Sequence, residues 1–195
     1  MSANAFLSQL QSQTLELRQI VSKWSELSAE ILAKQPAPGS WSIAQCLDHL
    51  NGYGDFYLPH LEKALNRIER GPVPAFRSGW LGNYFADSME PRPDGKPKSK
   101  MKAFKNHVPA ADPDVENAVG TFLRQQDTLL RLMERAHTVN LNPRVVPMSI
   151  AGWITLKTGD VFRFIIAHNR RHIAQAKRAL AAAGVPESPA LNEAI

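Results

Sequence analysis

His168 and His172 interrupt a run, Val161, Ile165, His168, His172, Gln175 and Ala179, whose steps of three and four mark one buried face of a helix. Residues four apart lie one above the other, with Cβ atoms about 5 to 6 Å apart, so two imidazoles at this spacing can share an ion. Putting two imidazoles and an amide where apolar side chains belong costs free energy unless they find partners. A third ligand has to come from a facing element. His49 is the candidate, on the stripe Cys46, His49, Tyr53, Phe56 and His60 beside the seam of an earlier helix. Neutral imidazoles suit zinc, nickel, copper or iron, and three protein ligands leave one position for water or substrate. Spacing alone leaves the alternative open that these histidines are hydrogen-bonded core groups. Cys46, one turn from His49, is a possible fourth ligand, although a lone cysteine is more commonly a small buried apolar group. His60 lies about 16 Å along the helix from His49 and cannot share its ligand shell. His107 and His137 fall in or near loops and carry no readable signal.

Positioning these residues requires long helices. Leu7, Leu10, Thr14, Leu17, Val21, Trp24, Ser28 and Ile31 form one stripe, which predicts a first helix over about 4–34, stopped by Pro36-Ala-Pro-Gly39. Ser42-Ile-Ala-Gln45 is a capping box that opens a second helix, about 42–70, closed by Gly71-Pro72. Asp112-Pro113 reads as an N-cap with proline at the first helical position, opening a third helix over 113–137. The fourth, 158–183, starts near Thr158-Gly-Asp160 with a candidate capping side chain and ends at Gly184 with Pro186 beyond. No alternation is long enough for a sheet. The expectation is an all-α, four-helix bundle in a single domain, 1–195, with long connections over 71–111 and 138–157 that both fold over one end.

A net charge of +5 raises the question of nucleic acid, but much of the excess sits in one proline- and glycine-flanked segment, residues 96–105. That segment lacks the aromatic interleaving and fold context of a nucleic-acid site, so a solvated loop is expected and no nucleic-acid partner. No apolar stretch reaches the roughly 18 residues of a membrane span, the single Cys46 has no internal partner, and no signal segment opens the chain. A cytoplasmic protein without membrane contact is expected.

Two segments carry a resemblance to a known family. Trp41-Ser-Ile-Ala-Gln-Cys-Leu-Asp-His49-Leu and Ala167-His168-Asn-Arg-Arg-His172-Ile-Ala-Gln175 resemble the second- and fourth-helix motifs of the DinB/YfiT-like superfamily, which includes bacillithiol-transferase-like and mycothiol-dependent enzymes. The lysine-rich loop of residues 96–109 is similar to one found in many members. The likeness runs roughly from Phe6 to Ala183, and Ser188 onward has no counterpart. It implies one divalent ion, zinc or nickel foremost, held by His49, His168 and His172. It further implies a transferase in which a low-molecular-weight thiol attacks an electrophile, with a homodimer possible. The competing reading is a non-catalytic metal-binding, stress-response or self-associating protein. Trp80, Tyr84, Phe85, Phe104 and Trp153 are expected to wall a pocket, with Arg92 and the lysines attracting an anionic thiol.

Overall fold

The computed structural model describes residues 2–69, 71, 73–99 and 101–185. Among the described residues six α-helices and one hairpin follow in the order α1 (Ala3–Trp24), α2 (Ala29–Ala33), α3 (Ile43–Arg67), α4 (Trp80–Met89), α5 (Val115–Ala136), β1 (Arg144–Met148), β2 (Ala151–Lys157) and α6 (Thr158–Ala182), with one 3-10 turn, Lys105–His107, before α5. The four long helices, α1, α3, α5 and α6, make the body of the molecule. α3 packs on both α5 and α6, and α1 packs on the same two helices. Two apolar clusters fill the space between them. One gathers Leu7, Tyr57, Leu61, Met133 and Phe162, and the other Trp24, Ile43, Leu47, Phe122 and Ala176. Burying each of the larger apolar side chains contributes roughly 1.5 to 3 kcal/mol. Along α3 the first cluster takes Tyr53 and the second takes Leu50, and along α6 they take Ile165 and Ile173. His49, His168 and His172 therefore fall where the two apolar clusters meet.

The capping box of α3 forms as expected: the Ser42 hydroxyl accepts from the Gln45 backbone and the Gln45 carboxamide accepts from the Ser42 backbone. Other boundaries differ. The expected first helix is two helices, because Ser28 caps a new start, its hydroxyl accepting from Ile31 N–H after the chain turns at Ser25. α5 opens two residues later than Asp112-Pro113 indicated, since Asp114 is the side chain that accepts from Asn117 N–H. α6 has no side-chain cap at Thr158–Asp160; its N-cap is Lys157. Its end does match, with Gly184 at φ +81, the left-handed value a helix-stopping glycine supplies. The expected stops Pro72 and Pro186, and residue 100 of the lysine segment, lie outside the described residues.

The expectation of no sheet is corrected by β1 and β2, an antiparallel pair with two register irregularities. Pro147 interrupts the strand pattern, and of β1 only Val146 and Met148 are buried, so there was little alternation to read. The long connection before α5 is also not structureless. Its α4 lies along α6, close enough that a Cβ on Gly82 would sit 2.2 Å from Asp160 Cγ. Arg163 then pairs with Asp87 at 2.5 Å and Arg170 with Glu90 at 2.7 Å, fixing α4 along successive turns of α6.

Candidate metal centre

Each histidine is placed by local chemistry that can be followed residue by residue. The capping box starts α3 at Ile43, which sets His49 two turns in. Gln45 Nε2 then donates to the carbonyls of Ala110 and Ala111, and Asp48 accepts from Ala110 N–H at 2.9 Å. These bonds staple the end of the long connection to the first turns of α3. As a result the His107 carbonyl lies 2.5 Å from His49 Nδ1. A carbonyl only accepts, so His49 carries its proton on Nδ1 and leaves Nε2 with a free lone pair. On α6 the same logic holds at His172, whose Nδ1 lies 3.1 Å from Gln175 Oε1.

The freed nitrogens converge. One ligand nitrogen from each of His49, His168 and His172 lies within 4.8 Å of the others, and all three residues are buried. His49 Nε2 and His168 Nε2 are 3.3 Å apart. A tetrahedral ion with metal–nitrogen bonds of about 2.0 to 2.1 Å needs its ligand atoms about 3.3 Å apart, so this spacing fits. Protonation fits the same purpose. Burial, and then neighbouring charge, pushes His49 down to about 4 and His172 down to about 3, and His168 well below its ordinary value. All three are neutral at pH 7, the form that ligates. The donor set and its geometry could hold a divalent ion.

The cluster opens on a cavity of about 760 Å³. Trp41, tilted over His49 at 4.8 Å and stacked on His172 at 5.6 Å between ring centroids, forms one wall. Met101, Phe104 and Val108 from the long connection form another, and Arg171, Arg178 and Lys102 bring positive charge to it. Tyr53 also faces the cavity, its phenol pushed up to about 12 by burial and by Tyr57, so it stays a neutral hydrogen-bond donor.

Several expected residues lie elsewhere. Of the five aromatic side chains expected to wall the pocket only Phe104 does so: Trp80, Tyr84 and Trp153 are exposed, and Phe85 packs on the core. The reason is that the two long connections do not cover the same end. The hairpin packs on α3, where Tyr57 Oη accepts from Ser149 N–H, and on α6, and only the later part of the first connection lines the cavity with the histidines. Arg92 donates to the Lys98 carbonyl and does not line the cavity. Cys46 is buried with its thiol pushed up to about 12 and stands outside the histidine cluster, and His60 bonds to the Phe56 carbonyl. His137 lies between Asn4 and Gln11. His107 had no signal because its contribution is a backbone carbonyl, which no side-chain type encodes. Its ring stacks on Tyr53 at 3.9 Å. Arg171 and Arg178 lie three and ten residues beyond His168, on or beside its helical face, and that spacing is the sequence signal for their place at the cavity.

A family model described as the DinB superfamily matches residues 9–176, and the chain belongs to that family. No curated protein and no solved structure gives a significant match. Family membership and the buried three-histidine group together suggest metal binding. Among the described residues no helix is long and apolar enough to cross a membrane.

Proposed function

We propose that this chain is a four-helix-bundle transferase that holds one divalent ion, zinc or nickel, through His49, His168 and His172 and conjugates a low-molecular-weight thiol to an electrophile. The observation that carries the reading is the combination of three buried neutral imidazoles, two with fixed tautomers, and a cavity of about 760 Å³ opening on them. A bound divalent ion would lower the pKa of a thiol at its open position and so supply the nucleophile at neutral pH. The chain's own residues do the rest. His107 and Gln175 hold two imidazoles in the ligating tautomer. Trp41 shields the cluster from water, and Met101, Phe104 and Val108 offer an apolar wall to the electrophile. Transfer forms one sulfur–carbon bond, the leaving group departs with the bonding pair, and the thiol proton passes to solvent.

The test is conjugation. Metal-loaded protein should accelerate addition of a small thiol to monobromobimane or chlorodinitrobenzene, and metal-free protein and the His172→Ala variant should both lose the rate. No metal-dependent acceleration across bacillithiol, mycothiol, glutathione and coenzyme A would overturn the transferase reading and leave a non-catalytic metal-binding protein.

A further inference from the structure

The charges around the cavity are one-sided. Arg171, Arg178 and Lys102 line it, and no aspartate or glutamate does among the described residues. The nearby carboxylates are engaged elsewhere: Asp87 by Arg163, Glu90 by Arg170 and Asp94 by Lys96. None of the three cavity cations has a carboxylate partner among the described residues. What they do touch is neutral. Arg171 Nη1 and Nη2 donate to the carbonyls of Ser88 and Ser99, and Arg178 Nη1 donates to those of Gly95 and Ala174. That leaves Arg178 Nε and Nη2 and the Lys102 ammonium without a protein acceptor among the described residues.

Like charges held side by side without a counter-charge repel, and the repulsion is screened least where one of them is buried. Arg171 is 9% exposed, whereas Arg178 and Lys102 are exposed, so the cavity sets one buried guanidinium beside two solvent-facing cations. A ligand bringing negative charge into this cavity would relieve that repulsion while sitting beside the imidazole cluster.

We propose that Arg178, Lys102 and Arg171 form an anion subsite next to the three-histidine cluster, and that the thiol this cavity accepts carries one or more carboxylates. Arg178 and Lys102 have the open donors and contact the carboxylate. Arg171 supplies field and holds the loop that carries Lys102 and the apolar wall. Only the placing of the thiol end rests on the proposed metal site; the charge preference is a property of the cavity.

Binding, read without turnover, tests this. The visible spectrum of cobalt(II)-loaded protein would be titrated with 2-mercaptoethanol, 3-mercaptopropionate and mercaptosuccinate, and calorimetry would follow succinate, which has no thiol. Mercaptosuccinate should bind at least about tenfold more tightly than 2-mercaptoethanol, the worth of one charge-assisted hydrogen bond, and the margin should shrink in high salt. Lys102→Gln and Arg178→Gln should each remove most of that margin and leave 2-mercaptoethanol within about twofold. Should Arg178→Gln unfold after losing its hold on Gly95, Lys102→Gln decides alone, since its side chain holds no described residue. Equal affinity for neutral and anionic thiols, or a margin that survives both substitutions, overturns the subsite. If the spectrum responds to no thiol, succinate binding decides: loss of that binding in Lys102→Gln supports the subsite, and no binding to the parent protein overturns it. Charge discrimination without turnover overturns the transferase reading alone.

Discussion

The two ends of α6 bury polar groups in opposite ways. At its start Asp160, 1% exposed, accepts from the Ser78 hydroxyl and from Gly79 N–H at 2.9 Å, and its carboxylate is satisfied by the chain itself. A few turns later His168, 4% exposed, and His172, 7% exposed, are also buried, yet their neighbours are a third imidazole and two guanidiniums that have no carboxylate partner among the described residues. A buried polar group that finds its partner inside the fold is structure. Buried groups whose free lone pairs face one another are instead arranged for a partner that the chain does not contain. The contrast separates residues whose loss unfolds the protein from residues whose loss empties a site.

The largest expected effect lies at the histidine end. His168→Ala should reduce the bound divalent metal from about one ion per chain to near none by elemental analysis, while the helical circular dichroism spectrum persists. His49→Ala and His172→Ala should follow. If all three variants keep full occupancy, the cluster is not where the ion binds and the contrast dissolves.

Acid should distinguish the ends next. The three imidazoles titrate near 6.5 in an unfolded chain and lower when folded, so below pH 6.5 the unfolded state binds more protons. Stability of metal-free protein is therefore intact above pH 6.5 and falls between 6.5 and about 4, where His49 begins to protonate in place. Within that window each imidazole that takes its proton only on unfolding removes about 1.4 kcal/mol for every pH unit of acidification. Urea midpoints measured from pH 7.5 to 4.5 should drop in metal-free wild type and much less in the His49→Ala/His168→Ala/His172→Ala triple variant. Equal slopes would mean that the cluster is not the acid-sensitive element.

At the other end, Asp160→Ala should cost about 2 kcal/mol, because it strands the buried Gly79 N–H and takes the charged acceptor from the Ser78 hydroxyl. Urea denaturation would measure that loss, and elemental analysis should find metal content unchanged. Loss of metal together with stability would show that the two ends are coupled through α6.

How much of this was legible follows from what each feature is made of. The long helices were readable because apolar side chains recur with the helical period over many turns, and the α3 capping box because its two side chains sit at fixed spacing. His168 and His172 stood out because they break such a pattern. The hairpin did not, since Pro147 and two register irregularities left no alternation to follow. Nor could spacing place Trp153, expected over the pocket but 86% exposed, because which end a loop covers depends on the packing of α4 along α6. The His107 carbonyl is the least readable part of the site, being common to every residue type.

The smallest expected effect tests that last kind of contribution against a side chain doing the same work. Gln175 Oε1 accepts from His172 Nδ1 at 3.1 Å, as the His107 carbonyl accepts from His49, and in each case the acceptor keeps Nε2 unprotonated toward the cluster. Replacing Gln175 by Ala frees His172 to adopt the other tautomer or rotate, although Trp41 still stacks on its ring. Losing a single hydrogen-bonded orienting partner of a metal-binding histidine commonly weakens affinity by about 10- to 100-fold. With Trp41 still restraining the ring, the lower figure is expected. Stability of the metal-free protein should barely change, because Gln175 is only partly buried and a small side chain leaves room for water at His172 Nδ1. Competition against a chelator of known affinity would read the shift, and Gln175→Glu, which retains an acceptor oxygen, should restore binding. An Ala variant as tight as wild type would mean that packing alone orients His172, and the histidine end would then be built more like the Asp160 end than its chemistry implies.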